Sequence, residues 1–408
     1  MKLNEEQLKA INSQDRFIFL LAGAGSGKTR TIIEKIKAVL AKGVLPTSIL
    51  AITFTKKATE EMKHRLQNDE VSINTFHGFC YQVLEKYHDK IKILDEVDLP
   101  FTPSELLAVS NYKNSQASLK PPLIYHQYQN YLNEKKALDF DDLMINFLEL
   151  KEQYQPPFKY LFIDEFQDTN ALQYEILKRL ITPTTKVFAV GDPDQSIYRF
   201  RGAKPSVINL YINEYQATLY TLSNNYRSTT KIIDEANYLI RKNTSRIKKK
   251  LIPTKSESGV VNYFQFANSL SEAKYIIDEI KLLITQKYQF NQIAIMYRNH
   301  SRATVLKKLF YESYLSQNKP TIHFLSCHES KGLEFRVVFI IGLEDGLFPT
   351  NYENRISEIE EERRLFFVAM TRAKEKLYVT YVKTDQDGNR RKPSLFLREL
   401  SPKVNIIS

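Results

Sequence analysis

The chain has only two cysteines, Cys80 and Cys327, among its 408 residues. Two cysteines cannot complete a tetrahedral zinc site without well-spaced histidines, and the sequence shows no such spacing. The N-terminus lacks the basic and then apolar pattern of a secretion signal. The longest early apolar run, Phe17–Ala24, is too short to span a bilayer and predicts a buried strand. These absences favour a reduced, cytoplasmic protein with no membrane association.

The charge of the chain is basic. Lysine and arginine number 58 against 47 aspartates and glutamates, which gives a net charge of +11. The excess favours a polyanionic partner such as nucleic acid, although a generic lysine-rich surface explains the composition equally well. The hydrophobic content of 43% is ordinary for a folded protein, and the length allows two or three domains.

Short apolar runs alternate with helical patterns, which predicts a parallel, doubly wound α/β sheet. Polar and tyrosine-rich segments between residues 81 and 137 predict a mostly helical insertion. In the first half of the chain the predicted strands are Phe17–Leu21, Ile49–Phe54, Tyr160–Ile163 and Lys186–Val190. A second α/β domain is predicted from strands at Val260–Phe266, Gln292–Tyr297, Ile322–Leu325, Val337–Ile341 and Lys376–Tyr381, with a helix at Ser271–Gln286.

The segment GAGSGKT at residues 23–29 follows a predicted strand and opens a predicted helix. Glycines let backbone N–H groups approach phosphates, and a helix N-terminus adds partial positive charge. Lys28 is expected to reach the β- and γ-phosphates and Thr29 to hold magnesium. Ala22 stands where the simplest form of the motif has its first glycine. A chance match is the alternative, and the strand and helix on either side argue against it.

Asp164 and Glu165 follow the predicted strand Tyr160–Ile163. One carboxylate at such a position can hold a metal ion, and its neighbour can polarise an attacking water molecule. Acidic pairs after strands are also common on surfaces, so the pair gains its meaning from the glycine-rich loop before it. Together the two motifs predict nucleotide hydrolysis.

Three clusters of aromatic, hydroxyl and basic residues lie near predicted strand ends, at residues 53–57, 75–79 and 198–202. Lysines and hydroxyls suit phosphates, and flat rings suit unstacked bases. Each ring alone is more often part of a core, but three clusters favour single-stranded nucleic acid. Arg227 and Arg372 in the second half either stabilise charge on a transferred phosphoryl group or form structural salt bridges. Gln7 suits the edge of adenine or an ordinary helix start.

With these motifs in order, the chain resembles the UvrD/Rep/PcrA-type superfamily 1 DNA helicases almost end to end. The resemblance rests on LNEEQ for the Q motif, AGAGSGKT for motif I, TFTKKATEEM for Ia, TFHGFC for Ib, FIDEFQD for II, GDPDQSIYRFRGA for III, NNYRST for IV, HESKGLEFRVVFIIGLEDGLFP for V and EERRLFFVAMTRAKEKL for VI. The string LDFDDL resembles the acidic signature before motif II, and PSLFLREL resembles the usual end of the second motor domain.

The resemblance implies a role for each matching position. Glu165 would be the catalytic base, Gln195 would sense the γ-phosphate, and Arg227 and Arg372 would be arginine fingers. Thr29 and Asp164 would hold Mg²⁺. ATP would be bound by Gln7, Ala22, Gly23, Ala24, Gly25, Ser26, Gly27, Lys28, Thr29, Arg30, Tyr226 (stacked on adenine) and Glu334 (at the ribose). Single-stranded DNA would be lined by Phe54, Thr55, His77, Tyr198, Phe200, Arg201, Tyr297 and Arg298.

The family resemblance further implies two RecA-like motor domains with ATP hydrolysed between them. Domain 1A would comprise residues 1–80 and 146–224, a small helical insertion (1B) residues 81–145, and domain 2A residues 225–408. The implied activity is that of a DNA-dependent ATPase and 3′→5′ helicase or translocase. It would act as a monomer in DNA repair or replication, on single-stranded DNA and on duplexes with a 3′ tail, with possible protein partners from those processes.

Three departures from the family pattern stand out. Phe200 occupies a position where many relatives have tryptophan, and Lys56 a position where asparagine is common. The helical domain 2B, expected near residues 310–321, is essentially absent, since only a short tail at Leu315–Pro320 separates the preceding helix from motif V. Two alternatives stay open: a P-loop kinase, which leaves the aromatic clusters unexplained, and a non-catalytic helicase remnant that grips DNA.

Overall fold

The structure, a computed structural model, describes residues 2–88, 90–115, 119–203, 205–313, 321–350, 356–385, 388–401 and 406–407. The chain forms two compact units. The first comprises Met1–Ala22 and Gly27–Leu222, and the second comprises Gly23–Ser26 and Ser223–Ser408. The short glycine-rich segment after the first strand thus groups with the second unit.

The first unit contains a six-stranded sheet in the order β3-β2-β4-β5-β1-β6. All neighbours are parallel, so the segments that follow the strands emerge at one edge of the sheet. Representative pairs in the register are Leu20 with Val190 and Ile52 with Ile163. The strands are β1 (Phe17–Ala22), β2 (Ile49–Thr53), β3 (Ser72–Thr75), β4 (Tyr160–Ile163), β5 (Lys186–Gly191) and β6 (Thr218–Leu222).

Helices cover this sheet and bury one apolar face each. On α2, Ile32, Ile36 and Val39 recur at helical spacing and pack against the core that also holds Leu20 and Val190. The helices of the unit are α1 (Glu5–Asn12), α2 (Lys28–Leu40), α3 (Lys56–Leu66), α4 (Phe76–Leu84), α5 (Pro103–Asn114), α6 (Tyr125–Glu134), α7 (Phe140–Glu149), α8 (Ala171–Leu180) and α9 (Ser206–Tyr215).

The predicted insertion is helical and has a small core of its own. Leu99, Val109, Tyr128 and Leu132 form a buried cluster that joins α5 to α6. The bounds predicted from the sequence, 81 and 145, fall inside α4 and α7. The described part of this stretch is therefore framed by helices that continue into the α/β unit.

The second unit contains a six-stranded parallel sheet in the order β11-β10-β12-β13-β9-β14 and a two-stranded sheet, β7-β8. Its core is built from residues such as Ile280, Phe310 and Phe339. The strands are β7 (Asn224–Asn225), β8 (Ile252–Pro253), β9 (Val260–Asn268), β10 (Ile293–Tyr297), β11 (His323–Ser326), β12 (Phe335–Ile340), β13 (Ala373–Thr384) and β14 (Ile406–Ile407). The helices are α10 (Thr230–Ile240), α11 (Ser269–Thr285), α12 (Thr304–Ser313), α13 (Ile356–Met370) and α14 (Leu395–Arg398).

The two parallel sheets confirm the predicted α/β class. In the second unit α12 ends at Ser313 and β11 begins at His323, so the chain between them is far too short for a helical domain. The tail predicted at 315–320 lies outside the described residues. Among the residues that the structure describes, no helix is both long and apolar enough to cross a bilayer.

Candidate nucleotide site and nucleic-acid interface

The glycine-rich segment between β1 and α2 has the backbone geometry of a phosphate-binding turn. Gly25 and Gly27 have φ values of +64° and +85°, in the left-handed region that favours glycine. A Cβ on Gly27 would lie 2.8 Å from Nε2 of Gln7, so a side chain would collide there. Gly27 is also the N-cap of α2 and offers no side chain to the first-turn N–H groups. Such groups can instead bind an anion.

Lys28 and the carboxylates after β4 lie together. Nζ of Lys28 is 3.4 Å from Oε1 of Glu165. Glu165 has φ +51°, an unusual value for a residue with a side chain, and its N–H donates to Oδ1 of Asp164 at 2.9 Å. Burial raises the pKa of Asp164 above its ordinary value and the adjacent Glu165 raises it further, while Lys28 opposes both. Two close carboxylates beside one lysine form a site suited to a cation.

The chemistry of these side chains fits Mg²⁺. Asp164 supplies a buried carboxylate and the half-buried Thr29, at the start of α2, supplies a hydroxyl. No group of three or more His, Cys, Asp or Glu side chains with metal-ligand geometry occurs in the part of the chain that the structure describes. This composition matches Mg²⁺ sites that use one or two protein oxygens and leave the remaining positions to phosphates and water.

A chain of hydrogen bonds leads from Glu165 to the loop after β5. Nε2 of Gln167 donates to Oε2 of Glu165, and Oε1 of Gln167 accepts from the N–H of Asp192 at 2.8 Å. Oδ2 of Asp192 accepts from Nε2 of Gln195 at 2.6 Å. Gln167, Asp192 and Gln195 are all buried, so the chain is shielded from water. The sequence singled out Gln195 but not Gln167 or Asp192.

Aromatic rings lie at the same edge of the sheet. The rings of Phe54 and Tyr198 are stacked, with centroids 5.2 Å apart and planes inclined by 20°. Tyr198 also contacts the exposed ring of Phe200, and His77 contacts Phe140 at 5.6 Å. Phe54, His77 and Phe200 line a cavity of about 680 Å³. Arg201 lies in the same short helical turn as Phe200, and its side chain is outside the described part.

Two predicted contact residues also have local structural roles. Oγ1 of Thr55 caps α3 by accepting from the N–H of Ala58 at 3.1 Å. Gln7 forms a capping box with Asn4, in which Oε1 of Gln7 accepts from the Asn4 N–H at 3.0 Å. The amide nitrogen of Gln7 still points toward Gly27. The alternatives of helix start and nucleotide contact are therefore compatible for this residue.

In the second unit, Arg227 lies in an acidic and basic cluster. Its Nε donates to Oε2 of Glu334 at 2.8 Å, and Lys374 approaches the other oxygen of Glu334 at 2.6 Å. Burial would raise the pKa of Glu334, but the hydrogen bond from Lys374 and the charge of Arg227 outweigh it and lower the pKa to about 2. Glu334 thus anchors Arg227, and the ribose contact that the resemblance implies for Glu334 stays a prediction.

Arg372 is buried, with 2% of its surface exposed. Its Nε donates to the carbonyl of Val368 at 3.0 Å and one terminal nitrogen donates to the carbonyl of Leu333 at 3.2 Å. These backbone carbonyls fix the direction of the guanidinium.

Asn225 is a buried residue that the sequence did not single out. Its Nδ2 donates to the carbonyl of Ala24 at 2.7 Å, and its Oδ1 accepts from the N–H groups of Arg227 and Ser228 at 3.0 and 2.8 Å. The N–H of Tyr226 donates to the carbonyl of Gly25 at 2.9 Å. A Cβ on Gly25 would lie 2.7 Å from Nδ2 of Asn225, which explains the glycine. In the sequence, the only signal for this contact with the glycine-rich segment is the pair of asparagines before Tyr226.

Two predicted DNA contacts behave differently in the structure. Tyr297 is fully buried in the core of the second unit and shows no ring surface to a base, so we withdraw it from the proposed track. The resemblance alone implied the DNA contact, whereas the Tyr297 side chain packs in the core beside β10. Arg298, half-buried, is paired with Glu362 at 2.9 Å.

A parallel sheet, a glycine-rich turn into a helix and a lysine beside a carboxylate pair define a P-loop type of α/β protein. Comparison with family models gives a more specific classification. The model of the UvrD/REP helicase N-terminal domain matches residues 3–117 and 100–216, and that of the UvrD-like helicase C-terminal domain matches residues 220–316 and 310–384. The chain belongs to the UvrD/REP helicase family, and its two sheets are consistent with two RecA-like domains.

Curated relatives agree with the family assignment. The ATP-dependent DNA helicase PcrA of Bacillus subtilis is 33% identical over 368 residues, which is 78% of this chain and 50% of that protein. PcrA proteins of Staphylococcus epidermidis and Staphylococcus aureus are also 33% identical, over 365 residues, with 76% of this chain and 50% of theirs covered. The chain therefore spans about half the length of these relatives.

Proposed function

We propose that the protein is a DNA-dependent ATPase that moves 3′→5′ along single-stranded DNA and separates duplexes that carry a 3′ tail. One observation supports this most. The Lys28–Glu165 pair and the stacked rings of Phe54 and Tyr198 lie at the same edge of one sheet. Hydrogen bonds through Gln167 and Asp192 connect Glu165 to Gln195, in the loop that also carries Tyr198. The relatives named ATP-dependent DNA helicase support the same conclusion.

In this proposal the residues of the first unit prepare ATP for hydrolysis. The N-terminus of α2 and Lys28 bind the phosphates, and Glu165 polarises the attacking water. Mg²⁺ held by Asp164 and Thr29 would neutralise phosphate charge. The left-handed backbone of Glu165 and its hydrogen bond from Gln167 fix the direction of the carboxylate. Arg227 and Arg372 of the second unit would stabilise charge on the transferred phosphoryl group, worth about 10³–10⁵ in rate.

The aromatic pair supplies the contact with DNA. A base that enters between Phe54 and Tyr198 replaces ring–ring stacking by two ring–base stacks, each worth about 1–3 kcal/mol. Tyr198 follows Gln195 closely in the loop after β5, so a shift of the γ-phosphate contact would reach the ring through the chain of buried amides. In this way the state of the bound nucleotide is coupled to the stacking of a DNA base on these rings.

The ATPase rate with and without oligo(dT) tests the proposal. We expect strong stimulation by the oligonucleotide and a loss of about 10³-fold in kcat for Glu165→Gln, with nucleotide binding retained because the phosphate loop is intact. Glu175→Gln removes a carboxylate from a partly exposed pair with Lys178 and serves as the matched control. An ATPase that ignores DNA would favour the P-loop kinase, and an undiminished Glu165→Gln rate would remove Glu165 from the mechanism.

A further inference from the structure

Asn114, at the end of α5 in the helical insertion, is buried with 5% of its surface exposed. Its Nδ2 donates to Oδ1 of Asp141, on α7, at 2.8 Å and to the carbonyl of Ser110 at 2.9 Å. Its Oδ1 accepts from Nδ2 of Asn170 at 2.6 Å. One amide therefore connects three segments that lie far apart in the sequence.

Asn170 connects this contact to the segment that contains Asp164 and Glu165. Asn170 is the N-cap of α8, where its Oδ1 accepts from the N–H of Gln173 at 2.9 Å. It follows directly on the turn of residues 164–169 that contains Asp164 and Glu165, and the Thr169 N–H in that turn donates to the Phe166 carbonyl. The position of α8 thus sets where the turn ends.

The other side of the contact faces the loop that carries Phe200. Gly202, with φ +82°, closes this loop, and a Cβ on it would lie 3.7 Å from Cβ of Asn170 and 3.8 Å from Cβ of Asn114. The loop therefore rests on the Asn114–Asn170 pair. A displacement of this loop by a base that stacks on Phe200 would therefore press on the same two side chains.

The backbone beside Asn114 is held firmly. The adjacent Lys113 has a side chain only 1% exposed, and its Nζ lies 2.7 Å from Asp139 and 2.6 Å from Asp142. Because both carboxylates belong to the start of α7, the end of α5 cannot shift alone. Rigid elements joined through one polar contact are able to transmit a displacement.

We propose that Asn114 is a positioning residue that couples DNA contact at the Phe200 loop to hydrolysis at Glu165. The inference rests on the proposed function and adds a second route, independent of Gln195, by which bound DNA accelerates ATP turnover. Asn114 lines the same cavity as Phe200, so its effect is measured at saturating oligo(dT), where a change in DNA affinity does not lower the rate. Its effect is confined to the increase in rate that DNA produces.

Exchange of donor and acceptor tests the link. Asn114→Asp removes the donor and places two carboxylates side by side, whereas the double variant Asn114→Asp/Asp141→Asn restores one donor and one acceptor in exchanged positions. We expect the single variant to lower oligo(dT) stimulation about tenfold with the DNA-free rate within about twofold of wild type. The double variant should regain most of the stimulation. Asn111→Asp makes the same chemical change on the same helix and is the control.

A second variant cuts the contact from the other side. Asn170→Asp keeps an N-cap acceptor for α8 but loses the donor to Asn114, and it should show the same loss of stimulation if Asn114→Asp does not fold. The inference is overturned if Asn114→Asp and Asn170→Asp are stimulated by oligo(dT) as strongly as Asn111→Asp. It is also overturned if their DNA-free and DNA-stimulated rates fall equally, or if the double variant folds but does not regain stimulation. A wild-type protein without DNA stimulation overturns the proposed function itself.

Discussion

At the scale of single residues, the site combines positions that local sequence identifies with positions that it does not. Lys28, Asp164 and Glu165 were predicted because each directly follows a strand or opens a helix, where neighbouring residue types already indicate the chemistry. Asn225 and Asn114 were missed because their partners, Ala24 and Asn170, lie 201 and 56 positions away in the chain. Pairing over such separations depends on the packed fold.

Asp141 illustrates a residue kept at a cost to stability. Burial raises the pKa of its carboxyl and the charge of Asp139 raises it further, while Ser110, Asn114 and Lys113 lower it, so the pKa rises from 3.8 to about 6. Since the folded state holds this proton more tightly than the unfolded state, stability falls as the pH rises from 3.8 to about 6. Above about pH 6 the penalty is complete.

We therefore expect Asp141→Asn to raise the free energy of unfolding by about 1–2 kcal/mol at about pH 8, because an amide has no charge to desolvate. Its oxygen can still accept from Asn114. The gain should vanish as the pH is lowered toward about 4. Urea unfolding of both proteins across this range measures the difference, and a gain that is independent of pH would contradict the assignment of its cause.

At the scale of secondary-structure elements, the buried strands were predicted within a few residues because continuous apolar runs mark them. β6 was missed because it is an edge strand whose Thr218 and Leu219 are exposed, so the apolar signal is weak. The predicted second strand extended to Phe54, but β2 ends at Thr53 and leaves the Phe54 ring beside Tyr198. The sequence could not predict this pairing, since it joins loops after β2 and β5.

Loss of the Phe54 ring tests the importance of the paired loops for DNA. We expect Phe54→Ala to weaken oligo(dT) binding about tenfold, because one of the two stacking faces disappears. The exposed Tyr87, whose hydroxyl donates to the Gln153 carbonyl at 3.0 Å, lies outside the three clusters, and Tyr87→Ala is the control. Fluorescence anisotropy of a labelled oligonucleotide gives both dissociation constants. Equal values would exclude Phe54 from the DNA contact.

The contact between α5 and α7 depends on Lys113. Lys113→Met would leave Asp139 and Asp142 buried without their cation, and we expect it to lower the free energy of unfolding by about 3–5 kcal/mol. The exposed pair of Arg65 and Glu61 on α3 offers a comparison, since Arg65→Met should cost less than about 1 kcal/mol. Chemical denaturation measures both. A similar loss of unfolding free energy in the two variants would show that the buried contacts of Lys113 with Asp139 and Asp142 contribute little to stability.

At the scale of the whole molecule, the chain has two parallel α/β units and a basic excess of +11, and it spans about half the length of its PcrA relatives. α12 ends at Ser313 and β11 begins at His323, in the region where the resemblance predicts that a 2B domain is absent. The sequence predicted this difference from the short spacing between Arg298 and the segment that resembles motif V. Its consequence for activity is a property of the complete chain and requires a measurement of unwinding.

We expect this short form to displace a strand from a duplex with a 3′ single-stranded tail in the presence of ATP and Mg²⁺, and to leave a duplex with a 5′ tail intact. Lys28, Glu165 and the stacked rings of Phe54 and Tyr198 lie outside residues 310–321, where the resemblance predicts that 2B is absent, so we expect translocation not to depend on that domain. The Glu165→Gln variant should displace no strand from either duplex. The same preparation should also remove streptavidin from a biotinylated single strand, which reports movement without unwinding. Removal of streptavidin without strand displacement would reduce the activity to translocation.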